Sequence, residues 1–147
     1  MECYNVLYKD KKEFAYLQNL GWSKNQFTNQ FNKKINFGVG IYYNDEIKGF
    51  IIGDLLTIEK KLEYEILLIY VTPKSRNLGY ASELLIGMPL LLKNKLILIS
   101  LEVASNNEKA IKLYKKFDYI KIGERKQYYN LDSHKENALL FKKKFND

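Results

Sequence analysis

The stretch that decides the fold is Val71-Thr-Pro-Lys-Ser-Arg-Asn-Leu-Gly-Tyr-Ala81, which predicts a strand that leads through a phosphate-binding loop into a helix. The preceding run Ile66–Val71 is β-branched and aromatic, which is typical of a buried strand. Pro73 ends this strand because proline cannot donate a ladder hydrogen bond. From Tyr80 onward the apolar residues recur at helical spacing. The start of such a helix offers unpaired N–H groups and a positive dipole, which together can hold a pyrophosphate.

The loop contains neither G-x-G-x-x-G nor G-x-x-x-x-G-K-[ST], so the sequence does not favour a dinucleotide or nucleoside triphosphate site. An ordinary turn between a strand and a helix is the alternative interpretation. The chain has 24 basic residues, of which only Arg76 and Arg125 are arginine. Arginine is preferred where a planar donor fork must meet phosphate, so the position of Arg76 inside the loop favours the phosphate interpretation.

Length and composition predict one domain, spanning residues 1–147, with enough apolar residues for a core. The longest apolar run, Leu84–Leu92, is far shorter than the roughly 20 residues that span a bilayer, so we expect no membrane segment. The first residues lack the pattern of a signal peptide. The single cysteine, Cys3, fits a reducing compartment, and we expect a cytoplasmic protein. With only one cysteine and one histidine, His134, a dedicated metal site is not expected.

The net charge of +7 comes from lysines that are scattered over most of the chain. Lysine, asparagine, tyrosine and isoleucine are all heavily used, which indicates a coding bias and a lysine-coated surface rather than a designed patch. Scattered lysines can still neutralise phosphates, so a nucleic-acid face is an alternative. Without a recognisable motif, we expect no direct contact with nucleic acid.

The remaining pattern predicts a mixed α/β sheet of about six to seven strands with flanking helices. The crossover from the strand ending at Val71 to the strand starting at Leu96 should be right-handed and should place these two strands side by side and parallel. A helix from Tyr80 should be interrupted near Pro89, because proline inside a helix removes a hydrogen bond. The other predicted helices are Asp10–Leu20, Ser23–Phe31 and Asn106–Phe117, and the other predicted strands are Asn36–Tyr43, Ile47–Thr57, Glu63–Val71, Leu96–Val103, Tyr119–Tyr128 and Asn137–Phe145.

Two polar residues follow the predicted phosphate loop in positions that suit catalysis. Glu102 lies on the face of its strand that turns from apolar to polar, at the carboxyl end where open α/β sheets bind ligands. It is a candidate general base, and a solvent-facing glutamate at a strand end is the alternative. The next helix begins with Ser105-Asn-Asn-Glu108, a capping-box pattern, and carries Tyr114 on its apolar stripe. Tyr114 is by default a core aromatic, but a buried phenol requires a hydrogen-bond partner.

The segment Leu101–Tyr119 contains Leu-Glu-Val followed by Asn-x-x-Ala-Ile-x-Leu-Tyr, and together with the Pro73–Ala81 loop it resembles a GCN5-related N-acetyltransferase (GNAT). More narrowly, the chain resembles the ribosomal-protein-alanine N-acetyltransferase (RimI) branch of that superfamily. Gly21–Phe27 matches the entry helix of this branch, and Gly123–Tyr129 with Asn137-Ala138 matches its final strands. The resemblance therefore covers nearly the whole chain.

The resemblance implies a GNAT fold in which the two central parallel strands splay apart and admit acetyl-CoA, with no metal. It implies that Ile69, Tyr70 and Val71 hydrogen-bond the pantetheine arm through their main chain, and that the Val71 amide polarises the thioester carbonyl. It implies that Asn107 contacts the cofactor from the following helix. The residues that would wrap the pyrophosphate, chiefly with main-chain N–H groups, are Arg76, Asn77, Leu78, Gly79, Tyr80, Ala81 and Ser82.

For the chemistry, the resemblance implies Glu102 as general base and Tyr114 as general acid that protonates the departing thiolate. The implied acceptor is the N-terminal α-amine of a small-subunit ribosomal protein that begins with alanine. Two alternatives stay open: the same chemistry on a lysine side chain or a small-molecule amine, and a non-catalytic CoA-binding module. Leu68, Tyr70, Pro89 and Asp118 depart from the family pattern, with Asp118 standing where glycine usually ends the helix. Aspartate tolerates the left-handed conformation required there at some cost.

Overall fold

The computed structural model describes residues 2–3, 22–92, 94–131 and 134–145, so the predicted helix Asp10–Leu20 lies outside the described residues. The strands are β1 (Glu2–Cys3), β2 (Asn36–Tyr43), β3 (Glu46–Ile58), β4 (Lys61–Val71), β5 (Leu96–Ala104), β6 (Ile120–Leu131) and β7 (His134–Lys144). The helices are α1 (Lys24–Asn32), α2 (Tyr80–Leu91) and α3 (Glu108–Lys116), with a short 3-10 turn at Pro73–Ser75. The strands form one mixed sheet in the order β1-β2-β3-β4-β5-β7-β6.

Local signals in the sequence set several of these boundaries. Ser23 caps α1 in a capping box, since its hydroxyl accepts from the Gln26 amide at 3.1 Å and its amide donates to the Gln26 side chain at 2.7 Å. Asn44 and Asp45 form the turn between β2 and β3 with φ of 51° and 63°. Two left-handed residues give a turn whose twist matches the flanking strands, which confirms the predicted hairpin. Asp118 adopts a φ of 68° after α3, as its position required.

Two predicted helix features are wrong. α2 runs without interruption from Tyr80 to Leu91, with Pro89 inside its last turn. Because only two residues follow the proline, the helix loses one hydrogen bond near its end and does not need to break. The N-cap of α3 is Asn107, whose side chain accepts from the Ala110 amide at 3.2 Å. The predicted cap residue Ser105 instead donates its hydroxyl to Glu136 at 2.6 Å.

The helices pack on opposite faces of the sheet. Leu84 of α2 and Tyr114 of α3 belong to the larger apolar core, together with Ile51 of β3. Phe27 of α1 packs in a second core against Phe50 and other apolar side chains on the other face. We call the face of the sheet that carries the larger core the α2/α3 face, and the face that carries the second core the α1 face. Because side chains alternate along a strand, each strand residue can be assigned to one of them.

The parallel pair β4–β5 separates halfway along its length. Pairing runs from Leu62 opposite Leu96 to Ile66 opposite Leu101. Beyond this point β4 pairs only with β3, and residues 102–104 of β5 pair only with β7. The two strands therefore splay and leave a gap between residues 67–71 and 102–104. This confirms the predicted fold class, a mixed sheet with flanking helices and a splay between its central parallel strands.

A β-bulge lies where the two strands part. On β4, Ile66 pairs with Gly53 and Leu68 with Ile52, so Leu67 is the extra residue. A Cβ atom at Gly53 would come within 1.9 Å of the Glu65 carbonyl oxygen, so only glycine fits beside the bulge. The bulge also reverses the alternation of side chains along β4. Ile66 packs in the larger core, whereas Leu68 packs on the α1 face. Within the described residues, no helix combines the length and hydropathy that crossing a membrane requires.

Candidate active site

Main-chain groups of β4 line one edge of the gap. The Thr72 amide donates to the Lys48 carbonyl of β3 at 2.9 Å, which shows that Thr72 turns its main chain toward β3. Main-chain groups of successive strand residues point in opposite directions, so Val71 and Ile69 turn theirs toward the gap. By the same alternation Tyr70, the partner of Phe50, turns its main chain toward β3. Of the three residues that the resemblance implied for the pantetheine arm, two therefore face the gap.

The loop between β4 and α2 presents its main chain outward. Asn77 and Gly79 have φ of 62° and 88°, and Gly79 is the N-cap of α2 with no side chain capping the helix. The first amides of such a helix have no intrahelical acceptor. An added Cβ at Gly79 would contact nothing within 4 Å, so glycine is favoured here by the left-handed φ rather than by crowding. The geometry suits an anion at the start of α2, where the predicted loop residues lie together.

The side chain of Arg76 turns away from this helix start. Its Nε donates to the Val71 carbonyl at 3.1 Å, and its guanidinium lies 5.9 Å from the centre of the Tyr70 ring. Arg76 therefore contacts the end of β4. The position of its side chain does not match the expectation that this arginine binds phosphate. The anion-binding capacity of the loop rests on its main-chain N–H groups.

The start of α3 faces the loop from the other side. Lys109, in the first turn of α3, donates to the Asn77 side chain at 2.8 Å and so connects the helix to the loop. Asn107 is two residues earlier and uses its side-chain oxygen to cap α3. Asn107 thus precedes the helix that contacts the loop, with its side-chain oxygen engaged in the cap, and its contact with the cofactor stays a prediction. Lys109 was not singled out from the sequence, where it is one lysine among many.

Tyr114 lies on the α2/α3 face among aromatic side chains. It is 8% exposed, and its ring centre is 5.9 Å from that of Tyr119 and 6.3 Å from that of Phe141. The hydroxyl of Tyr119 is buried and has no hydrogen-bond partner among the described residues. Burial, and to a smaller extent the neighbouring Tyr114, raise the pKa of Tyr119. This apolar environment favours the neutral form of the Tyr119 phenol.

Glu102 lies on the opposite face. Its neighbours Leu101 and Val103 pack in the larger core, so alternation places Glu102 on the α1 face. Its carboxylate forms an ion pair with Arg125 of β6 at 3.2 Å, and the Glu102 side chain is 21% exposed. The Arg125 guanidinium also lies 5.4 Å from the centre of the Tyr128 ring. The candidate base and the candidate acid therefore lie on opposite faces of the sheet.

Glu65 of β4 adds a second carboxylate to the α1 face. Its register partners are Asp54 on β3 and Ser100 on β5. Burial, followed by the charges of Asp54 and Glu102, raises the pKa of Glu65, while Lys33 and Arg125 act in the opposite direction. The alternation of Glu63 and Glu65 in the sequence marks a polar face of this strand, but it does not show which charges surround it.

Across the described ranges, no three side chains of histidine, cysteine, aspartate or glutamate are grouped as a metal ion would require. The site is built from main-chain amides on one strand and one loop, two carboxylates on the α1 face and a phenol on the α2/α3 face. This arrangement can bind an anionic ligand at the start of α2 and can bring a cationic group to the gap from the α1 face.

Comparisons with known proteins agree with this geometry. The model of the acetyltransferase (GNAT) family matches residues 2–119. The ribosomal-protein-S18-alanine N-acetyltransferase of Escherichia coli superposes with a TM-score of 0.77 at 18% identity, covering 95% of this chain and 92% of that chain. A GNAT family acetyltransferase of Elizabethkingia anophelis with acetyl-CoA bound has a TM-score of 0.76 at 18% identity, covering 98% and 96%. Arabidopsis thaliana Naa50 with the bisubstrate analogue CoA-Ac-MVNAL has a TM-score of 0.68 at 25% identity, covering 98% of each chain. A search of curated protein sequences found no significant match.

Proposed function

Because the chain belongs to the GNAT family of acetyltransferases, we propose that it acetylates a protein α-amine, and specifically the N-terminal alanine of a small-subunit ribosomal protein. The enzyme is an N-acetyltransferase whose cosubstrate is acetyl-CoA. Two of the similar structures bear on the acceptor: one is named for the alanine of a ribosomal protein, and the other holds an analogue that joins CoA to a peptide. These similarities support a peptide acceptor, and the chemistry of the gap supports it independently.

Acetyl-CoA supplies an activated thioester, and the residues that would hold it line the α2/α3 side of the gap. The amides at the start of α2 would bind the pyrophosphate, with Gly79 giving the loop its left-handed turn. Ile69 and Val71 would hydrogen-bond the pantetheine arm. The resemblance implied the Val71 amide as the group that polarises the thioester carbonyl. Each strand residue advances about 3.3 Å, so Ile69 lies about two residues nearer to the level of Glu102 than Val71 does. We therefore assign the role of polarising the thioester carbonyl to the Ile69 amide.

The single observation that carries the proposal is the placement of Glu102 and Tyr114 on opposite faces of the sheet that opens between β4 and β5. An amine that enters from the α1 face meets Glu102, which draws its proton directly or through a water. The thiolate forms on the other face, where Tyr114 can give it a proton, since a tyrosine ordinarily keeps its proton at neutral pH. A binding module that only holds CoA does not require an acid and a base on the two sides of its opening.

The charge of the α1 face favours a cationic acceptor. The chain as a whole is basic, which slows encounter with the basic N-terminus of a ribosomal protein. Asp54, Glu65 and Glu102 are grouped on the α1 face, so a local negative field offsets the net charge where the amine enters. A peptide α-amine has a pKa of about 7.7–8.0 and a lysine amine about 10.4, so modest base assistance favours the former.

The test is acetylation of synthetic peptides that begin with alanine and carry the following residues of ribosomal proteins. We expect acetyl transfer from acetyl-CoA to the α-amine, detected by mass spectrometry, and no transfer when the α-amine is blocked. A peptide of the same composition with lysine inside and a blocked N-terminus is the matched control. Acetylation of that internal lysine would contradict the α-amine assignment while leaving the acetyltransferase in place.

A further inference from the structure

We propose that the outer face of α2 binds a second copy of this chain, so that the two α2 helices pack antiparallel across a twofold axis. The outer face consists of the apolar residues on the side of the helix away from the sheet, namely Ile86, Gly87, Pro89 and Leu90. These residues lie outside the gap between β4 and β5, so the proposal does not depend on the proposed function.

α2 is apolar around its whole circumference beyond its first turn. None of the residues 84–92 has a polar side chain. Leu84 and Met88 belong to the inner side, because they are buried in the larger core. The opposite side carries Ile86, which is 53% exposed, and Leu90, which is 61% exposed. A helix that is apolar on every side is ordinarily covered on every side, so the outer face of α2 favours a partner.

The other two helices lack such a surface. The exposed residues of α3 include Lys112 and Lys116, and those of α1 include Asn25 and Asn29. Lysine and asparagine are heavily used along the whole chain, yet the outer face of α2 contains neither. General composition therefore does not account for this face, whereas removal from water in a complex does.

The spacing of the outer face suits packing against another helix. Ile86 and Leu90 are four residues apart, and rows of side chains at this spacing form the ridges by which helices interdigitate. Gly87 adjoins both residues and has no side chain, which leaves a groove for a ridge of the partner. With a twofold axis near the middle of the helix, Ile86 of one copy meets Leu90 of the other.

Charges at the two ends of α2 select the antiparallel orientation and a second copy as the occupant. Glu83 in the first turn is exposed, and so is Lys95, which follows the end of the helix at Leu91. Within the described ranges, neither residue forms an ion pair. Antiparallel packing places Glu83 of each copy toward Lys95 of the other and opposes the two helix dipoles. A parallel arrangement would place two Glu83 carboxylates side by side.

The chemistry of the face also distinguishes a second copy from a lipid surface. Amphipathic helices that lie on membranes carry lysine or arginine on the polar side, next to the apolar one. The charged residue within α2 is Glu83, an acidic residue that anionic lipid would repel. A contact centred on one short helix buries less than the roughly 1,600 Å² of a standard interface, so we expect a weak dimer that dissociates on dilution.

The first test is the self-association of the full chain, measured by sedimentation velocity from low micromolar to millimolar protein concentration. Leu90→Lys places a charge in the proposed interface, and Ile120→Lys is the matched control, since Ile120 of β6 is 68% exposed. We expect the wild type and Ile120→Lys to dimerise with the same Kd, and Leu90→Lys to raise the Kd about 10-fold or more. Both sites are exposed, so the Tm of each variant should stay within about 2 °C of the wild type.

A second pair of variants tests the orientation and does not alter the apolar face. Glu83→Lys and Lys95→Glu should each weaken the dimer, and the double variant should restore it, because the exchanged charges again face each other. A double variant that associates no better than the single ones would overturn the antiparallel arrangement.

Two results would overturn the proposal as a whole. One is an equal Kd for the wild type and Leu90→Lys. The other is a wild type that stays monomeric at millimolar concentration, and its cosedimentation with phosphatidylglycerol vesicles would then assign the face to a membrane surface.

Discussion

The two faces of the sheet beside the gap differ in nearly every chemical respect. On the α2/α3 face Tyr114 is packed among Tyr119, Phe141 and aliphatic side chains. On the α1 face Glu65, Glu102 and their counter-charges are partly open to solvent. A thioester is best protected where water is scarce, whereas an ammonium group is best received by carboxylates. The sheet keeps these environments apart, and the splay of β4 from β5 is what connects them.

Changing the start of α2 should have the largest effect, and that effect should fall on cofactor binding. Gly79→Val places a β-branched residue at a φ of 88°, where the steric cost is about 1–3 kcal/mol, and adds atoms where main chain must approach phosphate. We expect the affinity for acetyl-CoA, measured by calorimetry, to fall about 10²-fold or more. Gly123→Val is the matched control, because an added Cβ at Gly123 also meets nothing within 4 Å and its φ is not positive. Equal binding by the two variants would refute the assignment of the loop.

The next two changes sharpen the comparison by removing one chemical group from each face. Glu102→Gln and Tyr114→Phe should each lower kcat about 10²-fold, as expected for loss of a general base or acid. Both should leave the affinity for acetyl-CoA nearly unchanged, because neither residue belongs to the loop that we propose binds the pyrophosphate. Steady-state kinetics across neutral pH, with calorimetry on the same variants, separates the two quantities. Full kcat in both variants would mean that Glu102 is a solvent-facing glutamate at a strand end and that Tyr114 is only a core aromatic.

The sequence predicted those parts of the site that depend on contiguous residues. The loop and the order of Glu102, Asn107 and Tyr114 follow from local patterns, and the structure places the loop between β4 and α2, Glu102 on β5 and the other two on or next to α3. The distribution of charge was not predictable, because Glu102 and Arg125 meet through the pairing of β5, β7 and β6. The environment of Glu65 likewise combines charges from α1, β3, β5 and β6.

The predicted N-cap of α3 failed because of competition with a tertiary contact. Ser105 and Asn107 are both good N-cap residues, and the contact of Ser105 with Glu136 of β7 leaves Asn107 to cap α3. The β-bulge at Leu67 leaves no clear mark in the sequence, yet it decides that Leu68 and Tyr70 face α1. Simple alternation along β4 would have placed these two side chains on the other face.

The smallest expected effect distinguishes the two neighbouring phenols of the α2/α3 face. Tyr119→Phe removes a buried hydroxyl that has no partner among the described residues, and burying such a group costs about 1–3 kcal/mol. We expect the variant to gain about 1 kcal/mol in free energy of unfolding, measured by urea denaturation, with kcat changed by less than about twofold.

The gain in free energy of unfolding should increase above pH 10. There the unfolded tyrosine ionises and the folded one, whose pKa is raised, keeps its proton, so the wild type loses stability as pH rises. Tyr114→Phe is the control, since it removes the same atom from the next ring and should lower kcat without a comparable gain. A loss of kcat in Tyr119→Phe as large as that in Tyr114→Phe would mean that the proton for the thiolate passes through both phenols.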